Sequence, residues 1–377
     1  MQTKTYKIAI LGCGKVAHLH AKAIQNISNA QLAGVWSRSS KSAEKFATEY
    51  QTNSYTDISK LIKEQSIDLA IVCTPHPFHK APTIEAAQAG AHILVEKPLG
   101  STLEDCDVMI SACTEHDVKL GVISQRRWYE PVLRVKQAID EGKIGKPLFG
   151  TINMLGWRGQ EYYDADEWRG TWQMEGGGVL VNQAPHQLDI LLWLMGEVDE
   201  VYGIWKNLNH PYIEVEDTAL AVIKFKNGGI GNVVVSNSTK PGIYGKVHVH
   251  GENGASVGVQ TDGGAMFVAG MSNVLEPPVN DLWTIAGEES VLEHWKQEDE
   301  QFFNSIDPTV HYMEKQIEDF MESIDKNCEP MISGVEGRKT VELFTAIYRS
   351  TRDNKPIKFP LQPEKAEDMD GRLASKK

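Results

Sequence analysis

The segment Tyr6–Ala17 reads YKIAILGCGKVA, a short apolar run followed at once by a glycine turn. A short apolar run that ends at a turn is typical of a buried strand, and His18–Asn26 after it has a helical pattern. Glycines at this junction suit a bound dinucleotide: Gly12 permits the turn, Gly14 lets a pyrophosphate approach the backbone, and Ala17 keeps helix and strand close. The segment therefore predicts the start of a nucleotide-binding α/β domain.

Strand and helix patterns alternate after this segment. They predict strands and helices, in chain order, at Gln31–Trp36 (strand), Lys41–Tyr50 (helix), Asp57–Glu64 (helix), Asp68–Thr74 (strand), His79–Ala89 (helix) and His92–Glu96 (strand). Such alternation predicts an α/β fold with a parallel, doubly wound sheet, the Rossmann arrangement. We expect this dinucleotide-binding domain to span residues 1–124.

The residues after the second strand indicate which nucleotide is bound. An acidic residue there would bind the ribose 2'-hydroxyl of NAD, but this chain has Ser37, Arg38, Ser39 and Lys41. An arginine among hydroxyl groups suits a 2'-phosphate instead. NAD(P) is therefore the expected cofactor, with NADP favoured, and a plain solvated turn is the alternative interpretation.

Two further strands end in polar residues. Ligands of open α/β sheets bind at the carboxyl ends of strands, so Thr74-Pro75 and Glu96-Lys97 are expected beside the nicotinamide. Lys97 is the candidate for polarising a reacting oxygen, although a lysine at a strand end can also be a surface charge. The predicted cofactor-binding residues are Gly12, Gly14, Lys15, Val16, Ser37, Arg38, Thr74, Pro75, His79, Glu96, Lys97 and Gln125.

A second glycine-rich stretch, Glu175–Asp189, reads EGGGVLVNQAPHQLD. If a helix starts near Val179, Asn182 and His186 share one face because they are four residues apart. The apolar run that follows would bury the opposite face. These two residues and Lys97 are the predicted catalytic residues, and a hydrogen-bonded structural histidine is the alternative.

Aromatic and arginine side chains precede this stretch. Aromatic faces stack on the C–H surfaces of sugars, and guanidinium groups bind hydroxyls, so this segment is expected to contact a carbohydrate. A loop anchored to the core by its aromatic residues is the alternative. The predicted substrate-binding residues are Lys97, Arg126, Tyr163, Trp168, Arg169, Asn182 and His186.

The second half of the chain has the pattern of an antiparallel sheet. Turn signals at 227–229 and 252–254 separate the predicted strands, which are Leu148–Gly156, Glu200–Asn207, Ala219–Phe225, Gly231–Ser238, Lys246–Gly251 and Ala255–Val259. Amphipathic helices are predicted at Val310–Asn327 and Gly334–Arg352. We expect a substrate-binding and oligomerisation α/β domain over 125–361 and a loosely ordered tail over 362–377.

Composition and charge limit the partners. A chain of 377 residues exceeds one ordinary core, and its net charge of -13 argues against nucleic acid or an anionic membrane surface. The cysteines are odd in number and lack C-x-x-C spacing, so reduced thiols in a cytoplasmic protein are expected. No metal site is predicted, because His248 and His250 share a strand face without a suitably spaced further ligand.

The chain resembles the glucose-fructose oxidoreductase / inositol dehydrogenase / rhizopine-catabolism (Gfo/Idh/MocA) family from Tyr6 to Pro360. The motifs that carry the resemblance are Gly12-x-Gly14, Glu96-Lys97-Pro98, Gly176-Gly177-Gly178 with His186 and Asp189, and Ser350-x-x-x-x-Lys355-x-Ile357. The resemblance implies a Rossmann domain followed by an α/β domain with a large open, mostly antiparallel sheet. It also implies a homodimer or homotetramer formed through that sheet.

The resemblance also implies a reaction. Members of the family typically oxidise or reduce one carbon of a sugar or cyclitol with NAD(P). The matching lysine, Lys97, would contact the reacting oxygen and precede a cis proline, and the matching histidine, His186, would be the acid/base. The family commonly has aspartate where this chain has Asn182, and an amide cannot take a proton. Two alternatives stay open: a glycoside-cleaving enzyme that uses transient oxidation, and a nucleotide-bound sugar sensor without turnover.

Overall fold

The structure, a computed structural model, describes residues 4–262, 276–364 and 368–373. Over these ranges the chain forms two compact units. The first contains the chain up to Gln125 together with Pro308–Arg338. The second contains Arg126–Asp307 together with the chain from Lys339 onward.

The strands and helices have the following bounds. The strands are β1 (Tyr6–Leu11), β2 (Ala30–Trp36), β3 (Asn53–Tyr55), β4 (Leu69–Val72), β5 (His92–Val95), β6 (Leu120–Val122), β7 (Pro147–Trp157), β8 (Val198–Lys206), β9 (Thr218–Phe225), β10 (Ile230–Ser236), β11 (Ser238–Gly251), β12 (Ser256–Asp262), β13 (Val279–Trp283) and β14 (Ile357–Lys358). The helices are α1 (Lys15–Asn26), α2 (Ser40–Tyr50), α3 (Ile58–Gln65), α4 (Lys80–Gln88), α5 (Leu103–Glu115), α6 (Glu130–Asp140), α7 (Gln160–Asp164), α8 (Pro185–Met195), α9 (Val291–Ser305), α10 (His311–Asp325) and α11 (Gly334–Asp353).

The first unit contains a parallel sheet with the strand order β3-β2-β1-β4-β5-β6. This order confirms the predicted doubly wound fold. The order reverses between β1 and β4, and ligands of such sheets bind outside the carboxyl ends of the strands at that reversal. The loops after β1, β4 and β5 are therefore placed at the expected binding edge.

Helix α10 belongs to the first unit, although residues 308–338 were expected in the second domain. Its apolar residues Met313, Ile317 and Phe320 are buried in the same core cluster as Ile8 and other residues of β1. A Cβ on Gly121 of β6 would lie 2.7 Å from the Phe320 ring, so the glycine makes room for this helix. Burial of the amphipathic face of α10 accounts for its position.

The second unit contains a mixed sheet with the strand order β13-β12-β11-β7-β10-β9-β8-β14. Its neighbouring strands are antiparallel except β7 and β10, which confirms a mostly antiparallel sheet. Helix α8 packs on β7, where a Cβ at Gly150 would meet Leu191 and Met195 at 2.8 and 2.7 Å. The glycine thus lets the helix that carries His186 lie close to the sheet.

The end of the chain is packed where the structure describes it, contrary to the expected loose tail. Arg349 donates to the Asp370 carboxylate at 2.6 Å, and the buried Arg372 donates to the Gly176 carbonyl at 2.7 Å. A buried guanidinium needs hydrogen-bond acceptors. The tail supplies an acceptor for Arg349, and the Gly176 carbonyl is the acceptor for the tail residue Arg372. Residues 365–367 and 374–377 of the predicted tail lie outside the described residues.

Candidate active site

The glycine turn after β1 has the geometry expected for a nucleotide loop. Gly12 has a φ of +119°, and a Cβ there would lie 2.8 Å from the Cys73 carbonyl oxygen after β4. A side chain is therefore excluded by both backbone angle and space. A Cβ on Gly14, in contrast, would meet no atom of the described residues within 4 Å, so the outer side of the turn is open to them.

The first turn of α1 faces this open side without a competing side chain. Gly14 is the N-cap residue, no side-chain cap is present there, and the first turn contains no acidic residue. Gly14 and Lys15 are exposed, and Val16 is half-buried. Backbone N–H groups and the helix dipole at such a terminus bind anions. The residues present therefore fit the pyrophosphate of a dinucleotide.

The loop after β2 holds Arg38 at the same sheet edge. Its guanidinium lies over the ring of Phe78, which follows β4, at 5.3 Å. Ser37 accepts a hydrogen bond from the Ser39 backbone, and Ser39 caps α2 through the Ser42 N–H. Of the two nucleotide-binding residues predicted in this loop, Ser37 and Arg38, Arg38 is thus the one whose charge could bind a phosphate.

His79 connects the loops after β4 and β5. The side chain is 0% exposed, with Nε2 2.8 Å from the Thr74 carbonyl oxygen and Nδ1 3.0 Å from that of Pro98. Burial lowers the pKa of His79, and bonding to backbone carbonyls offsets part of this effect. Thr74 adds a hydrogen bond from Oγ1 to the Phe78 carbonyl, so both loops are fixed from within, and Pro75 lies between these contacts.

Glu96 organises the loop that carries Lys97. The Glu96 carboxylate lies 2.7 Å from Nε2 of the buried His20 on α1, and it accepts from the Lys97 backbone N–H at 3.1 Å. Burial alone would raise the pKa of Glu96, but His20 and Lys97 lower it overall. The Lys97-Pro98 peptide bond is cis, as the resemblance implied. Lys97 itself is half-buried.

The two units meet in sequence between Gln125 and Arg126. Both side chains are half-buried, and both lie in a short 3-10 turn at Gln125–Trp128. Their neighbour Arg127 is buried and forms a bidentate ion pair with Asp189 of α8, at 2.6 and 2.8 Å. Asp189 of the family motif thus anchors α8 to this turn.

The second glycine stretch does not begin an ordinary α-helix. Val179–Gln183 is a π-helix, and α8 starts only at Pro185, so the condition under which Asn182 and His186 would share one face of a single α-helix is not met. Glu216, just before β9, accepts from the backbone N–H groups of Gly178 and Leu180 at 2.9 and 3.0 Å. These donors belong to the start of the helix, which explains why a buried carboxylate lies there.

Asn182 belongs to a hydrogen-bond network around Glu175. Its Nδ2 donates to Glu175 at 2.5 Å and to the hydroxyl of Tyr162 at 3.1 Å. Gln183 also donates to this hydroxyl, at 2.9 Å. Glu175 is 1% exposed, and burial raises its pKa to about 7.

His186 occupies the first turn of α8, directly after Pro185. It is 7% exposed, while Asn182 is half-buried. Almost the whole circumference of α8 is buried, not only the face opposite His186. A histidine held on a rigid, packed helix has the fixed geometry that proton transfer requires.

Of the two predicted substrate-binding aromatic residues, Trp168 lies against Arg169 and Tyr163 does not. The Arg169 guanidinium lies 4.0 Å from the ring centre of Tyr162 and 4.5 Å from that of Trp168, and it pairs with Asp166. Tyr163 is buried against His210, whose Nδ1 lies 2.7 Å from Asp217. Trp168 and Arg169 are only half-buried, whereas Tyr163 is part of the packed interior.

The described residues contain neither a cluster of metal ligands nor a membrane-spanning helix. In residues 4–262, 276–364 and 368–373, the His, Cys, Asp and Glu side chains form no group of three that could hold a metal ion. None of the helices in the described part of the chain has the length and apolar character needed to cross a membrane. None of the five cysteines, all of which lie in the described residues, forms a disulfide bond.

Known proteins match both units. Residues 6–124 match the oxidoreductase family with an NAD-binding Rossmann fold, and residues 132–257 match the GFO/IDH/MocA C-terminal domain. Myo-inositol 2-dehydrogenase of Thermotoga maritima is 30% identical over 66% of this chain and 73% of its own length. The scyllo-inositol 2-dehydrogenase (NAD(+)) of Bacillus subtilis is 30% identical over 66% and 72%.

A solved structure covers more of the chain. The WlbA dehydrogenase of Bordetella pertussis, crystallised with NADH and UDP-GlcNAcA, is 30% identical, with a TM-score of 0.83 over 96% of this chain and 100% of its own. Fold, nucleotide loop and relatives together define an NAD(P)-dependent oxidoreductase of the sugar and polyol class. The chain belongs to the GFO/IDH/MocA family.

Proposed function

We propose that the protein transfers a hydride to or from a secondary carbinol carbon of a sugar, glycoside or cyclitol. A bound nicotinamide would accept the hydride in the oxidative direction. His186 removes the hydroxyl proton, and Lys97 stabilises the negative charge that develops on the oxygen. In the reductive direction the same two groups deliver the proton to a ketone. Asn182, Arg126, Trp168 and Arg169 hold the substrate hydroxyls.

The main support for this proposal is that one member of the family has both a nucleotide-binding turn with Lys97 nearby and a histidine on a packed helix. The first unit has an open glycine turn at a helix start, and Lys97 is fixed beside its binding edge through Glu96. The second unit holds His186 on a packed helix. The relatives named above are dehydrogenases, which favours net oxidation or reduction over transient oxidation or sensing.

NADP preference is part of the proposal. Arg38 stacks on Phe78 at the edge of the sheet, where a nucleotide 2'-phosphate would lie, and β2 is not followed by an acidic residue. A planar guanidinium held by stacking keeps its N–H groups available for phosphate oxygens.

Self-association through the open sheet is also proposed. Tyr202 and Ile204 of β8 pair with Val222 and Leu220 of β9, and all four side chains are exposed on one face. An exposed apolar patch of this kind on a sheet favours a homodimer or homotetramer. Sedimentation of the wild type and of Leu220→Glu tests it: a monomeric wild type contradicts the proposal. The free thiols agree with a cytoplasmic location.

A substrate screen tests the activity. Purified protein is mixed with NAD or NADP and, separately, with inositols, free sugars, glycosides and a nucleotide-activated hexuronic acid. The last is included because WlbA was crystallised with UDP-GlcNAcA. Net accumulation of NAD(P)H is expected with at least one polyol or sugar. Substrate cleavage without net reduction would support the glycoside-cleaving alternative, and nucleotide binding without any turnover would support the sensor.

Variants of the two catalytic residues test the assignment. We expect His186→Asn and Lys97→Met to lower kcat roughly a hundred- to ten-thousand-fold while NAD(P) binding is retained, because each acts on the reacting oxygen. His248→Asn is the matched control, since His248 pairs with Asp281 and lies on β11. Unchanged turnover in both catalytic variants would contradict the assignment.

A further inference from the structure

Two carboxylates are buried beside the second glycine stretch, and they have different partners. Glu216 uses both oxygens to accept from backbone N–H groups, those of Gly178 and Leu180. Glu175 uses one oxygen for the Gly170 N–H at 2.6 Å and the other for the side chain of Asn182 at 2.5 Å. Glu175 therefore differs from Glu216 in that one of its oxygens accepts from a side-chain amide, which can rotate.

An ionised carboxylate only accepts hydrogen bonds, so it fixes which end of an amide faces it. Nδ2 of Asn182 must turn towards Glu175, and its second hydrogen goes to the Tyr162 hydroxyl. Both hydrogens of the amide are thereby used inside the protein. In this orientation Asn182 can interact with a ligand hydroxyl only through Oδ1, as an acceptor.

We propose that Glu175 is a positioning residue that sets the orientation of the Asn182 amide, so that Asn182 accepts a hydrogen bond from a substrate hydroxyl. This inference rests on the proposed function, because it assigns Asn182 to the substrate site. Glu175 itself does not contact the substrate. It acts through Asn182 alone, and it makes a neutral amide behave as the acceptor that a carboxylate would be.

The charge on Glu175 controls this orientation. Burial raises its pKa to about 7, the Gly170 N–H, Asn182 and the Arg169 charge counteract that rise, and Glu216 adds to it. Tyr162 on α7 and Tyr348 on α11 also interact electrostatically with Glu175. A protonated Glu175 can present an O–H group to Asn182. The amide would then turn its oxygen inward and become a donor towards the substrate.

Replacement of Glu175 by glutamine should lock the wrong orientation. The Gly170 N–H belongs to the backbone and still needs an acceptor, so the glutamine oxygen stays there and its NH₂ group faces Asn182. Two NH₂ groups cannot bond to each other, so Asn182 rotates. We expect Glu175→Gln to lower kcat/KM roughly ten- to a hundredfold, which corresponds to a mismatched buried polar group.

A double variant with an amide at position 175 and a carboxylate at position 182 should restore a hydrogen-bond acceptor for the substrate. Asn182→Asp alone places a second carboxylate against Glu175, and like charges at this distance cannot both ionise readily. In Glu175→Gln/Asn182→Asp, the glutamine oxygen keeps the Gly170 N–H and its NH₂ group donates to the new aspartate. The second aspartate oxygen is again an acceptor for the substrate.

The experiment compares kcat/KM across pH for the wild type, both single variants and the double variant. We expect the double variant to be more active than either single variant. The acidic limb of the wild-type profile should include the ionisation of Glu175, and the profile of Glu175→Gln should lack it. Losses that multiply in the double variant, or an acidic limb that Glu175→Gln leaves unchanged, would overturn the proposal.

Glu216→Gln is the matched control for loss of a buried carboxylate. It removes charge beside the same stretch but leaves the contact between Glu175 and Asn182, so it should lower stability without removing an ionisation from the profile. Urea unfolding of the wild type, Glu175→Gln, Asn182→Asp and the double variant separates this inference from the proposed function. A favourable coupling between positions 175 and 182 is expected even if no substrate is found, whereas additive unfolding free energies would refute the contact itself.

Discussion

The glycine turn after β1 and the glycine stretch Gly176–Gly178 differ in what surrounds their glycines. The turn after β1 is open: a Cβ on Gly14 would meet no atom of the described residues within 4 Å, and the groups that would bind a ligand are backbone N–H groups. The stretch at Gly176–Gly178 is closed. A Cβ on Gly178 would overlap the Glu216 carbonyl oxygen, and one on Gly177 would overlap the Tyr348 hydroxyl.

The difference shows that glycine has two uses here. In the first unit its absent side chain leaves room for a ligand, and in the second it lets buried carboxylates reach the start of a helix. The first use needs little beyond the local backbone. The second depends on distant residues, because Glu216 and Tyr348 lie far along the chain.

The largest expected effect concerns charge burial in the second unit. Arg127→Met would leave Asp189 buried without its bidentate partner, and we expect the free energy of unfolding to fall by about 3–5 kcal/mol. Urea unfolding measures the loss. The double variant Arg127→Met/Asp189→Leu should be more stable than Arg127→Met, and a double variant that is less stable would show that the pair is not the cause.

The glycines themselves should respond in opposite ways. Gly178→Ala forces backbone atoms apart, so a loss of about 3 kcal/mol in unfolding free energy is expected. Gly14→Ala should leave stability within about 0.5 kcal/mol and instead weaken NAD(P) binding, because the methyl group occupies the approach of the pyrophosphate. Equal stability losses in the two variants would remove the distinction between an open and a closed turn.

The pH dependence of stability should reveal Glu175. Its pKa in the folded state, about 7, exceeds the ordinary value of 4.5, so the folded protein binds more protons than the unfolded chain between these values. The stabilisation that comes from the protonated Glu175 of the folded protein is complete below pH 4.5 and is lost as the pH rises through about 7. Relative to the wild type, Glu175→Gln should therefore gain roughly 2–3 kcal/mol over this range. A constant difference between the two proteins would refute the raised pKa.

Arg38 should have the smallest effect. Arg38→Ala is expected to weaken NADP binding roughly tenfold, about the contribution of one charged hydrogen bond, and to change NAD binding little. Fluorescence titration with each nucleotide measures both affinities. Equal losses for NAD and NADP would mean that Arg38 supports the loop and does not read the phosphate.

The sequence predicted the doubly wound fold of the first unit because the signals for that fold are local. The alternation of β1, α1 and β2 and the turn at Gly12 all lie within a short stretch. The sequence did not reveal that α10 returns to this unit, since that depends on burial of Phe320 against Gly121, nearly two hundred positions earlier. The short strands β3 and β6 were missed because three residues give no clear periodicity.

In the second unit the sequence predicted catalytic roles for Asn182 and His186, but it did not predict the residues that hold the two segments in place. Glu175 directly precedes the glycine triplet, and this position was the only local indication that it contacts Asn182. Glu216 and Arg127 gave none, because a charged residue is expected at the surface unless a partner is known. The π-helix at Val179–Gln183 was also missed, since its apolar residues fit an ordinary helix equally well.

Transfer of a labelled hydrogen tests whether the protein moves a hydride between a carbinol carbon and the nicotinamide. A substrate from the screen is deuterated at its carbinol carbon and converted with NAD(P), and the nucleotide product is analysed by mass spectrometry. We expect one deuterium in the nicotinamide ring of each reduced nucleotide formed. Deuterium that returns to a cleaved product, or that appears only in the solvent, would contradict net hydride transfer.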